Sequence, residues 1–176
     1  MNNFQARLSE LRSLLTFNKI DSYIIPSTDP HLGENIPDHW RIISWLTGFT
    51  GSAATVVITE SFAGLWTDSR YFIQADEQLN GSGFVLMKSV RPDNKDFTEC
   101  LCENIKPGSR IALDGRTFSI ERMRKIEQIL KREKVSFDID CDLISEIWTD
   151  RPPMPFSVAF DHSVMFCGKE RAVKIA

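Results

Sequence analysis

The sequence of 176 residues is poor in the residue types that metal and redox sites use. It has three histidines and four cysteines, and no two cysteines form a CxxC pair, which excludes a zinc ribbon or finger. His31 and Glu34 lie three residues apart, but the prolines and glycine around them favour a loop over a metal site. We interpret the cysteines as reduced thiols; they are Cys100, Cys102, Cys141 and Cys167.

Long apolar runs and an excess of positive charge are also absent. No run approaches the roughly 18 residues that a membrane-spanning helix needs, and the amino terminus lacks the basic and apolar regions of a signal peptide. The formal net charge is −3, and Lys and Arg are dispersed along the chain. These absences argue against membrane spanning and against nucleic acid as a partner, and they predict a cytoplasmic protein.

The motifs of several enzyme classes are incomplete in this chain. Gly48-Phe-Thr-Gly-Ser52 lacks the Gly-Lys-Ser/Thr ending of a phosphate-binding loop, and Ser52 does not lie in a GxSxG elbow. A calcium loop from Asp138 fails because its sixth and twelfth positions are Leu143 and Thr149. The residues themselves therefore suggest neither a catalytic nucleophile nor a metal ligand.

Patterns of helices and strands alternate along the chain. Apolar residues at helical spacing predict a first helix over residues 3–18, and two runs within residues 55–66 predict an antiparallel hairpin. The alternation predicts an α/β fold with a mixed β-sheet flanked by helices, in which the crossovers are parallel. Further strands are predicted at 22–26, 84–87, 110–114 and 135–139, and further helices at 38–46, 69–79, about 95–105, from 120 onward and at 143–148.

Two local predictions concern helix ends and faces. The turn Arg91-Pro-Asp-Asn94 is predicted to cap the following helix through Asn94. The helix that Ser119 opens should point its apolar residues inward and its charged residues to solvent. Its predicted inward residues are Ile120, Met123, Ile126, Ile129 and Leu130.

Arg70 is the candidate binding residue. It follows the strand that ends near Trp66 and lies in the first turn of a helix that Thr67 or Asp68 can cap. The helix dipole disfavours a cation there, whereas ligands of α/β sheets bind where strand ends meet helix starts. A guanidinium at this place could hold a carbonyl or carboxylate oxygen. The residues leave an alternative open, in which Arg70 pairs with Asp68 or is simply solvated.

Four segments, in this order, resemble the amino-terminal part of the cytosolic three-domain Xaa-Pro aminopeptidases (aminopeptidase P), relatives of creatinase and prolidase. The segments are Tyr23-Ile-Ile-Pro-Ser27 with Asp29 and His31, Thr47-Gly-Phe-Thr-Gly-Ser52, Leu65-Trp-Thr-Asp-Ser-Arg-Tyr-Phe72 with Gln74 and Ala75, and Ile147-Trp-Thr-Asp-Arg-Pro152. Where that family commonly has glycine, this chain has Ser69 and Ala54.

The resemblance implies a ribonuclease-H-like first domain, which we place at residues 1–152. Residues 153–176 would be a linker, marked by Arg151-Pro-Pro-Met-Pro155, and the truncated start of a similar second domain. A "pita-bread" catalytic domain would be missing from this chain. In the family it binds two divalent metal ions, usually manganese, and removes the N-terminal residue that precedes proline.

The resemblance also implies what these residues contribute. It assigns them no catalytic residue, metal ligand or cofactor, and it implies that Arg70 contacts the bound peptide. The fragment alone is expected to be inactive, and the full-length protein is expected to be a homodimer. The alternative is a non-catalytic peptide- or protein-binding module of the same superfamily.

Overall fold

A computed structural model describes residues 3–88 and 95–176. Their core is one mixed β-sheet with helices packed on both faces, which confirms the predicted α/β fold. The strands lie in the spatial order β4-β3-β2-β1-β5-β6. They are β1 Ser22–Pro26, β2 Ala54–Thr59, β3 Ala63–Thr67, β4 Val85–Lys88, β5 Arg110–Leu113 and β6 Ser136–Asp138.

One strand of the sheet runs against the other five. β2 is antiparallel to both β1 and β3, whereas the pairs β1–β5, β3–β4 and β5–β6 are parallel. The carboxyl ends of β1, β3, β4, β5 and β6 therefore meet at one edge of the sheet, which we call the carboxyl edge. This is the edge at which α/β sheets bind ligands.

The helices lie close to their predicted positions. Gly48 ends α2 in the left-handed conformation, with φ of 83°, as expected for a glycine cap. Short 3₁₀ helices precede or follow several of the α-helices. The α-helices are α1 Asn3–Phe17, α2 Ile42–Thr47, α3 Phe72–Gln78, α4 Phe97–Asn104, α5 Ile120–Leu130, α6 Ile144–Ile147, α7 Val164–Cys167 and α8 Arg171–Ile175.

The sheet separates two hydrophobic cores. Tyr23 and Ile25 of β1 point into a core that contains residues of α1, α2 and α6, and Ile24 between them points into a second core with residues of α4 and α5. A strand buried on both faces needs apolar residues at successive positions. This explains why β1 shows a continuous apolar run.

The predicted inward position of Ile120 is wrong. Its side chain is 72% exposed, whereas Ile126 and Leu130 of the same helix are buried. Ile120 is the first residue of α5 and lies six residues before Ile126, about 120° around the helix axis from it. The apolar face of α5 therefore begins after its first residue.

The cap of α4 is formed by Asp96. Its carboxylate accepts hydrogen bonds from the backbone N–H groups of Thr98 (2.8 Å) and Glu99 (2.9 Å), and the Glu99 side chain accepts one from the Asp96 N–H. This reciprocal pair is a capping box. The predicted turn Arg91-Pro-Asp-Asn94, with its cap at Asn94, lies outside the described residues.

Residues 153–176 pack differently from the rest of the described chain. None of them is buried, and α7 and α8 are single short turns of helix on exposed chain. Among the helices of residues 3–88 and 95–176, none combines the length and the apolar character that crossing a membrane requires.

Candidate functional site

Two turns of the same design lie at the carboxyl edge. The first Asp-x-Arg turn (residues 68–70) follows β3, and the second (residues 114–116) follows β5. In each turn the aspartate caps a 3₁₀ helix by accepting the backbone N–H of the arginine, at 3.0 Å for Arg70 and 3.1 Å for Arg116. The cap holds aspartate and arginine on one side of the turn, so that their side chains can meet.

Arg70 folds back onto the carboxylate of its own turn. Its Nε donates to Asp68 Oδ1 at 2.9 Å and its Nη2 donates to Oδ2 at 2.7 Å. The hydrogen bond from Arg70 lowers the pKa of Asp68 below its usual value. The Arg70 side chain is nevertheless 67% exposed. The structure thus contains the ion pair that the sequence left open as an alternative, and contact between Arg70 and a peptide stays a prediction.

Polar side chains join the residues that follow Arg70 to the loop before β2. Tyr71 Oη and Ser52 Oγ lie 2.7 Å apart, and this hydrogen bond lowers the pKa of Tyr71. Gln74 donates to Thr50 Oγ1 at 2.9 Å. Two of the segments that carry the family resemblance therefore meet next to the first Asp-x-Arg turn, through hydroxyl and amide groups.

Gly51 allows these two segments to approach each other. A Cβ atom at this position would lie 2.2 Å from Phe49 Cζ and 2.9 Å from Tyr71 Cδ1, both far inside van der Waals contact. Because glycine has no Cβ, the loop before β2 can pack directly against the ring of Tyr71.

The loop after β1 is organised by a buried carboxylate. Asp29 Oδ1 accepts the backbone N–H groups of His31 (3.0 Å) and Gly33 (3.1 Å). His31 and Glu34 themselves are exposed. Within residues 3–88 and 95–176, no three His, Cys, Asp or Glu side chains are grouped closely enough to hold a metal ion.

The second Asp-x-Arg turn is tied into a larger cluster. Arg116 donates to Asp114 through Nε (2.9 Å) and Nη2 (2.8 Å), as Arg70 does to Asp68, but its Nη2 also donates to Asp142 at 2.9 Å. Its guanidinium lies over the ring of Trp40, 5.0 Å from the centroid. Arg116 therefore interacts mainly with its own domain.

Asp142 connects the second turn to the end of the domain. Its carboxylate accepts hydrogen bonds from Arg151 Nη1 at 2.9 Å and from Ser145 Oγ at 2.9 Å. Burial alone would raise the pKa of Asp142, but the charge of Arg151 and the Ser145 hydrogen bonds outweigh it, and the pKa is lowered. We call Asp114, Arg116, Asp142 and Arg151, with Trp40, the edge cluster.

Sequence reasoning missed the edge cluster. It assigned Asp114 to the end of a strand, Asp142 to a failed calcium loop and Arg151 to a connector. The available signal was a repetition: Asp-x-Arg follows a buried apolar strand twice, at Arg70 and at Arg116.

Known proteins are similar to this chain in sequence and in fold. The family model of the creatinase/prolidase N-terminal domain matches residues 7–144. Aminopeptidase P2 of Arabidopsis thaliana is 35% identical over 174 residues, which cover 96% of this chain and 24% of that protein. Xaa-Pro aminopeptidase 2 of Sus scrofa is 34% identical over 178 residues, which cover 99% of this chain and 26% of that protein.

A solved structure agrees with these relatives. The X-prolyl aminopeptidase of Caenorhabditis elegans, described as a cytosolic enzyme with a di-nuclear active site, has a TM-score of 0.80 and 34% identity over 88% of this chain and 27% of its own. The chain thus spans about a quarter of the length of the Xaa-Pro aminopeptidases it matches. It belongs to the creatinase/prolidase N-terminal domain family.

Proposed function

We propose that this chain is the amino-terminal, non-catalytic domain of an Xaa-Pro aminopeptidase. The observation that carries the proposal is the match of 96–99% of the chain to a quarter of two enzymes of this kind. We place the domain at residues 1–152 and the connection to a second domain at 153–176. In support, the last buried side chain is that of Arg151, and all of 153–176 is exposed or partly exposed.

The hydrolysis itself is assigned to the part of the protein that lies beyond this chain. Two divalent metal ions, manganese by the family resemblance, would supply water activation and polarisation of the scissile carbonyl there. The whole protein acts in the cytoplasm as a homodimer, on peptides with proline in the second position. The present chain alone is inactive.

Arg70 supplies a substrate contact from outside the catalytic domain. An arginine side chain has five N–H donors, and Asp68 engages Nε and one N–H of Nη2. Within the described residues the remaining donors have no acceptor. Because Asp68 holds the guanidinium in one orientation, its unused donors are prepared for a peptide carbonyl or carboxylate oxygen.

The test requires the chain joined to its natural downstream sequence. We expect manganese-dependent release of the first residue from a tripeptide with proline second. Replacing Arg70 by alanine removes a charge-assisted hydrogen bond, and we expect kcat/KM to fall about 10- to 100-fold.

Arg132→Ala is the matched control, because Arg132 is exposed beyond the end of α5. It lies before the start of β6, at the end of the sheet opposite to the carboxyl edge. Its kinetic constants should equal those of the wild type. Unchanged constants for Arg70→Ala would refute the substrate contact.

The size of the native polypeptide tests the domain assignment separately. An immunoblot of source cells with an antibody against this 20.1 kDa chain should show a band several-fold larger. A band near 20 kDa, or a downstream sequence without the metal ligands, would contradict the assignment to a peptidase and favour the alternative, a non-catalytic peptide-binding module.

A further inference from the structure

The side chain of Arg151 is buried although the chain beyond it is exposed. The guanidinium side chain is 6% exposed, whereas Phe156, five residues later, is 96% exposed. Arg151 lies in Ile147-Trp-Thr-Asp-Arg-Pro152, a segment that carries the family resemblance and has no part in the proposed substrate contact.

Arg151 joins the end of the domain to two distant segments. Its Nε donates to the backbone carbonyl of His39 at 2.9 Å, and its Nη1 donates to Asp142 Oδ2 (2.9 Å) and to Ser145 Oγ (2.7 Å). His39 Nδ1 in turn donates to the carbonyl of Pro152 at 2.7 Å. The chain at residues 151–152 is thus held by side-chain and backbone contacts together.

Aromatic rings enclose the same guanidinium. Its Cζ lies 5.4 Å from the ring centroid of Trp40 and 5.7 Å from that of Trp148. The guanidinium of Arg116 also lies over the ring of Trp40. Cation–π contacts of this kind favour a defined position of the guanidinium plane.

This arrangement is a costly way to gain stability. Among the residues that the structure describes, Arg151 Nη2 is buried without a hydrogen-bond partner, and an unsatisfied buried donor lowers stability. Buried ion pairs are also often replaceable by apolar side chains without loss of stability. The planar guanidinium, with its several hydrogen bonds, instead holds the residues that it joins in one geometry.

We infer that Arg151 is a positioning residue, which fixes the direction in which the chain leaves the domain and so the place of Arg70 relative to the domains that follow residue 152. Pro152 and Pro153 follow directly, and their fixed φ angles keep the departing chain extended. The second half of this inference rests on the proposed function.

Arg70 and the edge cluster share one edge of the sheet. Arg70 follows β3, Arg116 follows β5, and β2 and β1 lie between these strands. Three strand spacings correspond to about 14 Å. The chain therefore leaves toward the following domains at the edge of the sheet that carries Arg70, and its direction of departure sets where those domains lie relative to Arg70.

Limited chymotrypsin digestion tests the anchoring in the present chain. Trp148 is buried and Phe156 is exposed, so cleavage after Phe156 is an internal reference for cleavage after Trp148. We expect Arg151→Ala to raise the ratio of the cleavage rate after Trp148 to the cleavage rate after Phe156 about tenfold. The reason is that local opening of the chain around Trp148 becomes easier by roughly 1.4 kcal/mol. Arg132→Ala should leave the ratio unchanged.

His39→Phe is the second variant, in case Arg151→Ala does not fold. It removes the bond to the Pro152 carbonyl and leaves the ion pair of Arg151 in place, so the ratio should rise by a smaller factor. An unchanged ratio in every folded variant overturns the anchoring.

A double-mutant cycle in the extended protein tests the positioning. Arg151→Ala should lower kcat/KM, and adding it to Arg70→Ala should cause no further loss, because both changes remove the same substrate contact. Multiplicative losses, or no loss from Arg151→Ala, overturn the positioning. If Arg70→Ala alone has no effect, the proposed substrate contact fails, and the digestion still decides whether Arg151 anchors the chain.

Discussion

The two Asp-x-Arg turns have the same internal geometry and different surroundings. Both use an aspartate cap and the same pair of side-chain hydrogen bonds. Asp114 is largely buried and Arg116 shares Asp142 with Arg151, whereas Asp68 and Arg70 are exposed and pair with each other. The local sequence therefore determines the ion pair, and the neighbours determine whether it holds the domain together or faces outward.

The largest difference is expected from removing the carboxylates. Asp142→Ala leaves the buried Arg151 without its anionic partner, which should lower the free energy of unfolding by about 3 kcal/mol. Asp68→Ala removes an exposed cap and ion pair and should cost about 1 kcal/mol or less. Urea denaturation of both variants measures the difference. Equal losses would mean that the edge cluster adds no more to stability than the exposed turn.

The middle residues of the turns should respond differently to the same change. A Cβ at Gly115 would lie 2.9 Å from the carbonyl oxygen of Ile139. Gly115→Ala must displace backbone and should cost about 1–3 kcal/mol. Ser69→Ala, at the exposed equivalent position, should stay within about 0.5 kcal/mol. Thermal unfolding of the two alanine variants decides, and a tolerated Gly115→Ala would contradict the close packing.

The smallest effect is expected in the pH dependence of stability. The pKa of Asp142 and that of Asp68 are both lowered from the usual value of 3.8. A carboxyl with a lowered pKa stabilises the folded state above that value, and the contribution is lost as the pH falls through its folded pKa.

Asp142→Asn should therefore make the free energy of unfolding fall less steeply below pH 4, and by more than Asp68→Asn does, since solvent screens the exposed pair. Urea denaturation between pH 2.5 and pH 6 measures both slopes. A larger flattening for Asp68→Asn would contradict this ranking.

Features that depend on neighbours in sequence were predictable. The strand before Arg70, the cap at Thr67 or Asp68 and the glycine end of α2 all follow from residues within one turn of each other, and the structure forms the cap with Asp68. The inward residues of α5 were predicted correctly where the helix is covered, at Ile126 and Leu130, and wrongly at its exposed start.

The edge cluster could not be predicted in the same way. Trp40, Arg116 and the pair of Asp142 and Arg151 come from three separate parts of the chain, which the fold brings together. The position of Arg70 in the first turn of its helix does not reveal how exposed its side chain is. The sequence therefore could not decide between a ligand and Asp68 as the partner of Arg70.

The exposed tail has a consequence for the colloidal behaviour of the isolated chain. Nine large apolar side chains between residues 154 and 175 are more than half exposed, while the net charge is only −3. Weak electrostatic repulsion and an exposed apolar surface favour self-association as the concentration rises. A version that ends at residue 156 retains every buried side chain, and we expect it to stay dispersed at concentrations where the 176-residue chain forms assemblies.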